Sequence, residues 1–237
     1  MKVLIGVENF NEGRSIAWSL EHFGCFALGP DGQSAVVAMA RAIPEYIEWM
    51  ESHTKTAWFA PEEIDIKLVD VFDDYFIDKQ FNQVTEGGRL IKAWFKTDWK
   101  PLTQIDVEHV LQIISWTRQE LVETVSKIDD YTMDKTIVEG EWTIREIIAH
   151  IGRSEWWLLD RLGRTHPQDQ LSDDAFERLL EERGNLAHVL PDFIDLNQVV
   201  GKDGEIWSPR KVVRRVCWHE RDHISQIKRL LAAVILI

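Results

Sequence analysis

The hydrophobic periodicity of the chain changes once, and this change limits the fold more than any other feature of the sequence. Up to about residue 75, apolar residues recur at every second position in several short runs, which is typical of strands half-buried in a sheet. After Pro101 they recur every three or four positions over long segments, which is typical of helices with one buried face. We therefore predict an α+β chain with a small mixed part followed by an all-helical part.

Residues 1–75 predict a β-β-β-α-β order. Turn residues separate three short strand-like runs, and a helical stripe then extends from about Gln33 to His53 before a fourth strand-like run. Pro44 should kink or interrupt this helix, because proline donates no backbone hydrogen bond. Residues 76–100 mix charges, glycines and tryptophans, and we predict that they form a connector. The strand-like runs contain Val3, Ile5 and Val7; Ile16, Trp18 and Leu20; Phe23 to Gly29; and Ile64, Ile66 and Leu68.

Residues 101–237 contain four helical segments of similar length, which predicts a four-helix bundle. Thr143 and Glu146 match a capping box at the start of the second helix. Ser208 and Pro209 match a helix cap followed by a proline in the first turn of the fourth helix. The four segments start near Val107, Thr143, Ser172 and Ser208.

The charge and cysteine content exclude several classes of protein. The 27 Lys and Arg against 40 Asp and Glu give a formal net charge of −13, and no basic run could follow a phosphate backbone, so we expect no nucleic-acid partner. Cys25 and Cys217 lie far apart and predict neither a disulfide framework nor a zinc knuckle. The longest apolar run is too short to span a bilayer, so we expect a cytoplasmic protein without a membrane partner.

Two histidines on the last predicted helix are the strongest functional signal. His219 and His223 are four residues apart, so their side chains lie about 40° apart around the helix and about 6 Å apart along it, within reach of one metal ion. Both also lie on the apolar stripe that faces the bundle core. Two neighbouring buried imidazoles would otherwise each need a separate polar partner, so the pattern favours metal binding over two independent core histidines.

With Glu220, the two histidines spell H-E-x-x-H, the zincin signature in which the glutamate activates water. Gluzincins and metzincins take a third ligand from downstream, but residues 224–237 contain no His, Asp, Glu or Cys, so the sequence argues against those proteases. We expect the third ligand from a facing helix, and His150 in the second helix is the best candidate. Periodicity alone leaves open that His150 is a boundary histidine. It also leaves open that Glu220, one helical step of about 100° from His219, is a solvated surface carboxylate.

The helical part resembles the DinB-like (DinB/YfiT) family of metal-binding four-helix bundles over about residues 101–237. The resemblance rests on E-W-T-I-R-E-I-I-A-H-I at the start of the second helix and on W-H-E-R-D-H-I-S-Q-I-K-R-L in the last one. In that family, one histidine of the second helix and an H-x-x-x-H pair of the fourth bind a divalent metal, usually zinc or nickel. The resemblance therefore implies that the ligands are His150, His219 and His223.

The first part resembles the HicB-like β-β-β-α-β module through Phe23-Gly24-Cys25-Phe26, which precede the predicted helix. A HicB antitoxin would also need a DNA-binding tail or a surface for a toxin partner, and neither follows from these residues. The alternative is an accessory domain.

Three neutral histidines that leave one coordination position open are typical of catalytic rather than structural zinc sites. Such a metal lowers the pKa of bound water toward ~7 or holds a thiolate, and the DinB-like family includes S-transferases that use low-molecular-weight thiols. We therefore predict a metal-dependent hydrolase or thiol S-transferase acting on a small molecule, with Glu220 as a general base or as support for a ligand. The alternative is a non-catalytic, stress-associated or partner-binding protein with a structural metal site.

Two further expectations concern surfaces. Bundles of this shape commonly bury a helix face by self-association, so we expect a homodimer. Several tryptophans could also line a cleft beside the metal, although most should pack between helices. These tryptophans are Trp116, Trp142, Trp156, Trp157, Trp207 and Trp218.

Overall fold

The computed structural model of the chain describes residues 2–55, 57–59 and 63–235. The chain forms two compact units, the first from Met1–Lys100 and Asn197–Arg214 and the second from Pro101–Leu196 and Arg215–Ile237. The strands are β1 (Lys2–Asn11), β2 (Arg14–Ser19), β3 (Phe26–Gly29), β4 (Asp65–Asp73), β5 (Tyr75–Ile77), β6 (Gln83–Val84), β7 (Arg89–Ile91), β8 (Val200–Lys202) and β9 (Glu205–Trp207). The α-helices are α1 (Gly32–His53), α2 (Gln104–Val125), α3 (Asp130–Asp134), α4 (Ile144–Asp160), α5 (Ala175–Val189) and α6 (Pro209–Ile235).

The main sheet of the first unit has the strand order β3-β2-β1-β4. β1 pairs antiparallel with β2 and parallel with β4, and α1 makes the crossover between β3 and β4. The alternation of Val3, Ile5 and Val7 reflects the pleat, because all three side chains are buried on one face of β1. The predicted β-β-β-α-β order is what the structure shows.

Pro44 was predicted to kink or interrupt α1, and the helix continues through this proline, so the predicted interruption was wrong. An internal proline costs about 3 kcal/mol, but burying each large apolar side chain contributes about 1.5–3 kcal/mol. Buried side chains on both sides of Pro44 hold the helix against the sheet. They are Ala35, Met39, Ile43, Tyr46 and Met50.

The first unit extends beyond the segment predicted for it. Residues 76–100, predicted as a connector, contain most of a three-stranded sheet with the order β6-β5-β7. The hairpin of β8 and β9 and the first turns of α6 also belong to this unit, and Glu205 accepts a hydrogen bond from the backbone N–H of Lys92 at 2.8 Å. Strands of two or three residues are too short to show a periodicity, which is why the sequence did not indicate them.

The second unit is helical, as predicted. The capping box at α4 is confirmed, since Thr143 N–H donates to Glu146 Oε2 at 2.8 Å and Glu146 N–H donates to Thr143 Oγ1 at 3.2 Å. Helix α5 is capped by Asp174 rather than by Ser172, the start predicted from the sequence. No helix within the described ranges is both long and apolar enough to cross a membrane. The apolar core of this unit contains Leu121, Val125, Met133, Ile144, Ile147, Ile148, Ile151, Ala175, Leu179, Ile224, Ile227 and Leu230.

Candidate metal centre

The structure brings the three predicted metal ligands together. His150 lies in the middle of α4, and His219 and His223 lie one turn apart on α6. The Nε2 atom of His219 is 3.0 Å from Nε2 of His150 and 3.2 Å from Nε2 of His223. One nitrogen from each ring lies within 4.8 Å of the other two, and all three side chains are half-buried.

The spacing of these nitrogens fits a divalent metal. A tetrahedral site with zinc–nitrogen bonds of about 2.0–2.1 Å separates neighbouring nitrogens by about 3.3 Å, close to the two distances between the Nε2 atoms. A neutral imidazole has one N–H donor and one acceptor nitrogen, so three converging nitrogens cannot all satisfy one another. A single cation would accept the lone pairs of His150, His219 and His223 together.

A hydrogen-bond chain orients the ring of His223. Gln226 Oε1 lies 2.8 Å from His223 Nδ1, so Nδ1 carries the proton and donates it. The Nε2 lone pair of His223 is then directed at the position on which the three ring nitrogens converge. The Gln226 side chain in turn donates to Glu141, whose carboxylate also accepts two hydrogen bonds from Arg229 at 2.8 Å. These hydrogen bonds, led by those from Arg229, lower the pKa of Glu141. Sequence reasoning missed this support, because Glu141 lies in a loop far from α6 along the chain.

Side chains of a serine and two tryptophans also border the histidines. Ser154 Oγ lies 3.4 Å from His150 Nε2. The ring centroid of Trp142 lies 4.7 Å from that of His150 and 6.5 Å from that of His223, and 46% of Trp142 is exposed. Of the six tryptophans considered from the sequence, Trp142 is thus a partly exposed neighbour of the site, and Trp218, with its ring centroid 5.8 Å from that of His219, is a buried one. Trp207 is fully buried in the first unit.

Glu220 points away from the histidines and into the protein. The side chain is 1% exposed, so the alternative of a solvated surface carboxylate was wrong. Oε1 accepts from Arg118 Nε at 2.7 Å, and Oε2 accepts from Arg183 Nη2 at 2.6 Å and from the Thr117 hydroxyl. Both carboxylate oxygens are therefore engaged by neighbouring side chains.

Glu220 is part of a buried cluster of two arginines and two glutamates, named here the Arg–Glu cluster and made of Arg118, Glu155, Arg183 and Glu220. Glu155 accepts from Arg118 Nη2 at 3.0 Å and from Arg183 Nε at 3.1 Å, so each arginine bridges both carboxylates. Each arginine also donates to a backbone carbonyl, Arg118 to that of Leu179 and Arg183 to that of Ile114. The cluster therefore links α2, α4, α5 and α6.

The electrostatics of the Arg–Glu cluster keep Glu220 ionised. Burial by itself raises the pKa of this carboxyl, but the charges of Arg183 and Arg118 and the hydrogen bonds from Thr117 and Arg118 outweigh burial. The net effect is a pKa below the usual value of a glutamate. No periodicity could have revealed this, because the two arginines lie on other helices.

The helical region is similar to known proteins. The model of the DinB superfamily matches residues 113–227, a range that includes His150, His219 and His223. An Oceanobacillus iheyensis protein named "Putative metal-dependent hydrolase OB0413" is 25% identical over 150 residues, which cover 54% of this chain and 86% of that protein. The matched range does not include residues 1–112. The HicB-like resemblance of the first part therefore stays a prediction.

Two solved structures are similar to the chain. One is described in the words "YfiT from Bacillus subtilis is a probable metal-dependent hydrolase with an unusual four-helix bundle topology", with 18% identity, a TM-score of 0.45, and coverage of 56% of this chain and 91% of that one. The other is TT2238, described as a four-helix bundle protein, with 17% identity, a TM-score of 0.44, and coverage of 52% and 98%. The helical region matches the model of the DinB superfamily over residues 113–227.

Proposed function

We propose that the helical unit binds one divalent metal ion, zinc or nickel, through Nε2 of His150, His219 and His223 and that it is a metal-dependent hydrolase. The observation that carries this proposal is the convergence of the three ring nitrogens at 3.0 and 3.2 Å. The name of the Oceanobacillus iheyensis relative supports the reaction class. Bound at such a site, the metal supplies a Lewis acid that activates water and polarises a carbonyl or phosphoryl oxygen.

The residues around the histidines prepare the site for this chemistry. Gln226 fixes the tautomer of His223 and so keeps its Nε2 lone pair directed at the metal position. His150, His219 and His223 would hold the ion as neutral imidazoles, so the ligands themselves would add no negative charge to the site. Trp142, which is 46% exposed, lies beside the rings of His150 and His223.

Glu220 acts in this proposal as a positioning residue, not as the general base. Its two oxygens already accept from Arg118, Arg183 and Thr117, so proton transfer would require breaking buried ion pairs. The same ion pairs anchor the α6 backbone next to His219. A rigid helix holds a ligand more accurately than a loop does, which is the contribution we assign to Glu220.

Metal binding is tested by titrating untagged apo-protein with Zn²⁺ and with Ni²⁺ and by counting metal ions per chain by elemental analysis. We expect one ion per wild-type chain and none in a His219→Ala, His223→Ala double variant. A His109→Ala, His188→Ala double variant is the matched control, because it removes two histidines outside the site and should still bind one ion. Absence of binding to the wild type, or equal binding by the two double variants, would overturn the proposal.

The reaction class is tested on the loaded protein with an activated ester, 4-nitrophenyl acetate, with and without a low-molecular-weight thiol. Hydrolysis releases acetate, whereas thiol transfer yields an acetylated thiol, so product analysis separates the two predicted activities. We expect metal-dependent release of acetate, abolished by EDTA and by the His219→Ala, His223→Ala exchange. A loaded protein that forms only the acetylated thiol, or neither product, would contradict the assignment as a hydrolase.

A further inference from the structure

Trp142 is the aromatic side chain that both touches the ligand rings and faces solvent. Its ring is tilted against His150 at a centroid distance of 4.7 Å and nearly parallel to that of His223, with an interplanar angle of 27° at 6.5 Å. Even with these contacts, 46% of the residue is exposed. Part of a large apolar ring is thus exposed directly beside two of the three ligand rings.

The position of Trp142 is held by its neighbours in the sequence. Glu141, the preceding residue, is tied to α6 by two hydrogen bonds from Arg229. Thr143, the following residue, caps α4 through its capping box with Glu146. The indole therefore projects from a segment fixed on both sides, which lowers the entropic cost of using it as a binding surface.

The charge at the site decides which ligand the indole suits. An exposed indole face binds either a flat unsaturated group or a cation. Three neutral histidines leave a bound divalent metal with its full positive charge, and this charge repels a cationic ligand beside it. The combination of indole and metal therefore favours a neutral or anionic ligand with a flat group.

We propose, on the basis of the proposed function, that Trp142 determines specificity by stacking on a planar, unsaturated or aromatic group next to the metal-binding end of the substrate. The substrate class is thus a carbonyl compound, neutral or anionic, with a flat substituent adjacent to the reacting carbon. Trp142 acts on substrate binding and has no part in proton transfer.

The proposal is tested with three metal-chelating probes that differ in one substituent: acetohydroxamate, cyclohexanecarbohydroxamate and benzohydroxamate. The cyclohexyl group matches the phenyl group in bulk but is not flat, so it separates stacking from simple hydrophobic contact. Binding is measured on the Co²⁺-loaded protein through the visible absorption of the metal, with no need for turnover. We expect the wild type to bind benzohydroxamate roughly fivefold tighter than the cyclohexyl probe, as stacking beyond area burial predicts.

Three variants complete the experiment. Trp142→Leu should lose the preference for the phenyl probe, and Trp142→Phe should keep most of it. Trp157→Leu removes another half-exposed tryptophan of the helical unit, whose ring lies under the Arg161 guanidinium, and should behave as the wild type. Acetohydroxamate should bind all four proteins within about twofold, because it reports on the metal and not on Trp142.

The two proposals fail in different ways. Loss of Co²⁺ binding, or of acetohydroxamate binding, would contradict the metal site itself and would remove the basis of this inference. Normal binding of acetohydroxamate without a phenyl preference in the wild type would overturn the role of Trp142 alone. A phenyl preference that persists in Trp142→Leu would overturn it as well.

Discussion

The helical unit contains two polar clusters that differ in how their polar groups are compensated. One includes Glu220 and the other includes His219, which are neighbouring residues of α6. Glu220 belongs to the Arg–Glu cluster, in which two guanidinium groups and two carboxylates balance one another inside the protein. His219 belongs to the histidine group, in which three nitrogens of one kind converge. The first cluster compensates its own burial, whereas the second is suited to compensation by a ligand. Adjacent positions on one helix can therefore serve stability and binding separately.

Removing one member of the Arg–Glu cluster should have the largest effect on stability. Arg183→Ala leaves Glu155 and Glu220 buried without half of their compensating charge, and breaking a buried pair in this way costs about 3–5 kcal/mol. Urea unfolding measures this loss. Lys228→Ala, which removes an exposed partner of Glu120, is the control and should cost less than about 1 kcal/mol. A loss of similar size in both variants would show that the cluster contributes no more than a surface pair.

Glu182, next to Arg183 in the sequence, shows what a buried carboxylate does outside the cluster. It is fully buried with His166 Nε2 3.1 Å away, and burial, followed by the charges of Glu155 and Glu181, raises its pKa from 4.5 to about 7, against the lowering effect of Arg178. Between about pH 4.5 and 7 we therefore expect Glu182 to be protonated in the folded chain and ionised in the unfolded chain. The contribution of Glu182 to stability should fall as the pH rises from about 4.5 to 7 and stay constant above that.

The measurement is the free energy of unfolding between pH 4.5 and 8 for the wild type and for Glu182→Gln, which cannot titrate. Across this interval the wild type should lose up to about 3 kcal/mol relative to the variant, since one pKa unit corresponds to about 1.4 kcal/mol. Parallel pH profiles of the two proteins would show that Glu182 titrates normally in the folded chain. If Glu182→Gln is more stable than the wild type above pH 7, the surroundings of Glu182 disfavour the ionised carboxylate, whereas those of Glu220 favour it.

The histidine group should contribute to stability only through its ligand. Saturation with Zn²⁺ at about 100 times the dissociation constant should stabilise the wild type by about 2.7 kcal/mol, and EDTA should reverse this effect. In the metal-free state, His219→Ala should change the free energy of unfolding by less than about 1 kcal/mol. A large loss in the metal-free state would mean that the histidines hold the fold directly, and the contrast with the Arg–Glu cluster would fail.

Gln226→Leu should have the smallest effect on folding but a measurable one on binding. Loss of the hydrogen bond to His223 frees the ring and its tautomer, and such losses reduce metal affinity by about 10- to 100-fold. Zn²⁺ titration measures this change. The control is Ser225→Ala, at the exposed neighbouring position of α6. Equal affinities in the two variants would show that His223 is oriented without Gln226.

The parts of the site that could be predicted from the sequence are those encoded by local spacing. His219 and His223 share a helical face because they are four residues apart, and Thr143 caps α4 because Glu146 follows three residues later. His150 was only a candidate from its place in the second predicted helix, and the resemblance then implied it as a ligand, since nothing local links it to α6. Metal binding by the three histidines remains a prediction that the structure makes geometrically reasonable.

The environment of Glu220 could not be predicted, because it depends on contacts between distant segments. Arg118 lies 102 residues and Arg183 lies 37 residues from Glu220 along the chain. The H-E-x-x-H pattern suggested a catalytic role for Glu220. Helix geometry shows only that the glutamate lies off the face of the histidines and does not determine which residues surround it. The same reason applies to β8 and β9, whose membership of the first unit depends on long-range pairing.

Helix α6 has a consequence for how this protein could be shortened or recombined. Its first turns belong to the first unit, where Lys211 donates to the carbonyls of Lys92 and Ile206 and Arg214 forms a buried ion pair with Asp98. Its later turns carry His219 and His223. A chain beginning at Pro101 would retain both histidines but would remove Asp98, the ion-pair partner of Arg214, and the Lys92 carbonyl that accepts from Lys211. Loss of the strand-rich segment before Pro101 would therefore remove partners from the first turns of the helix that presents two of the three ligands.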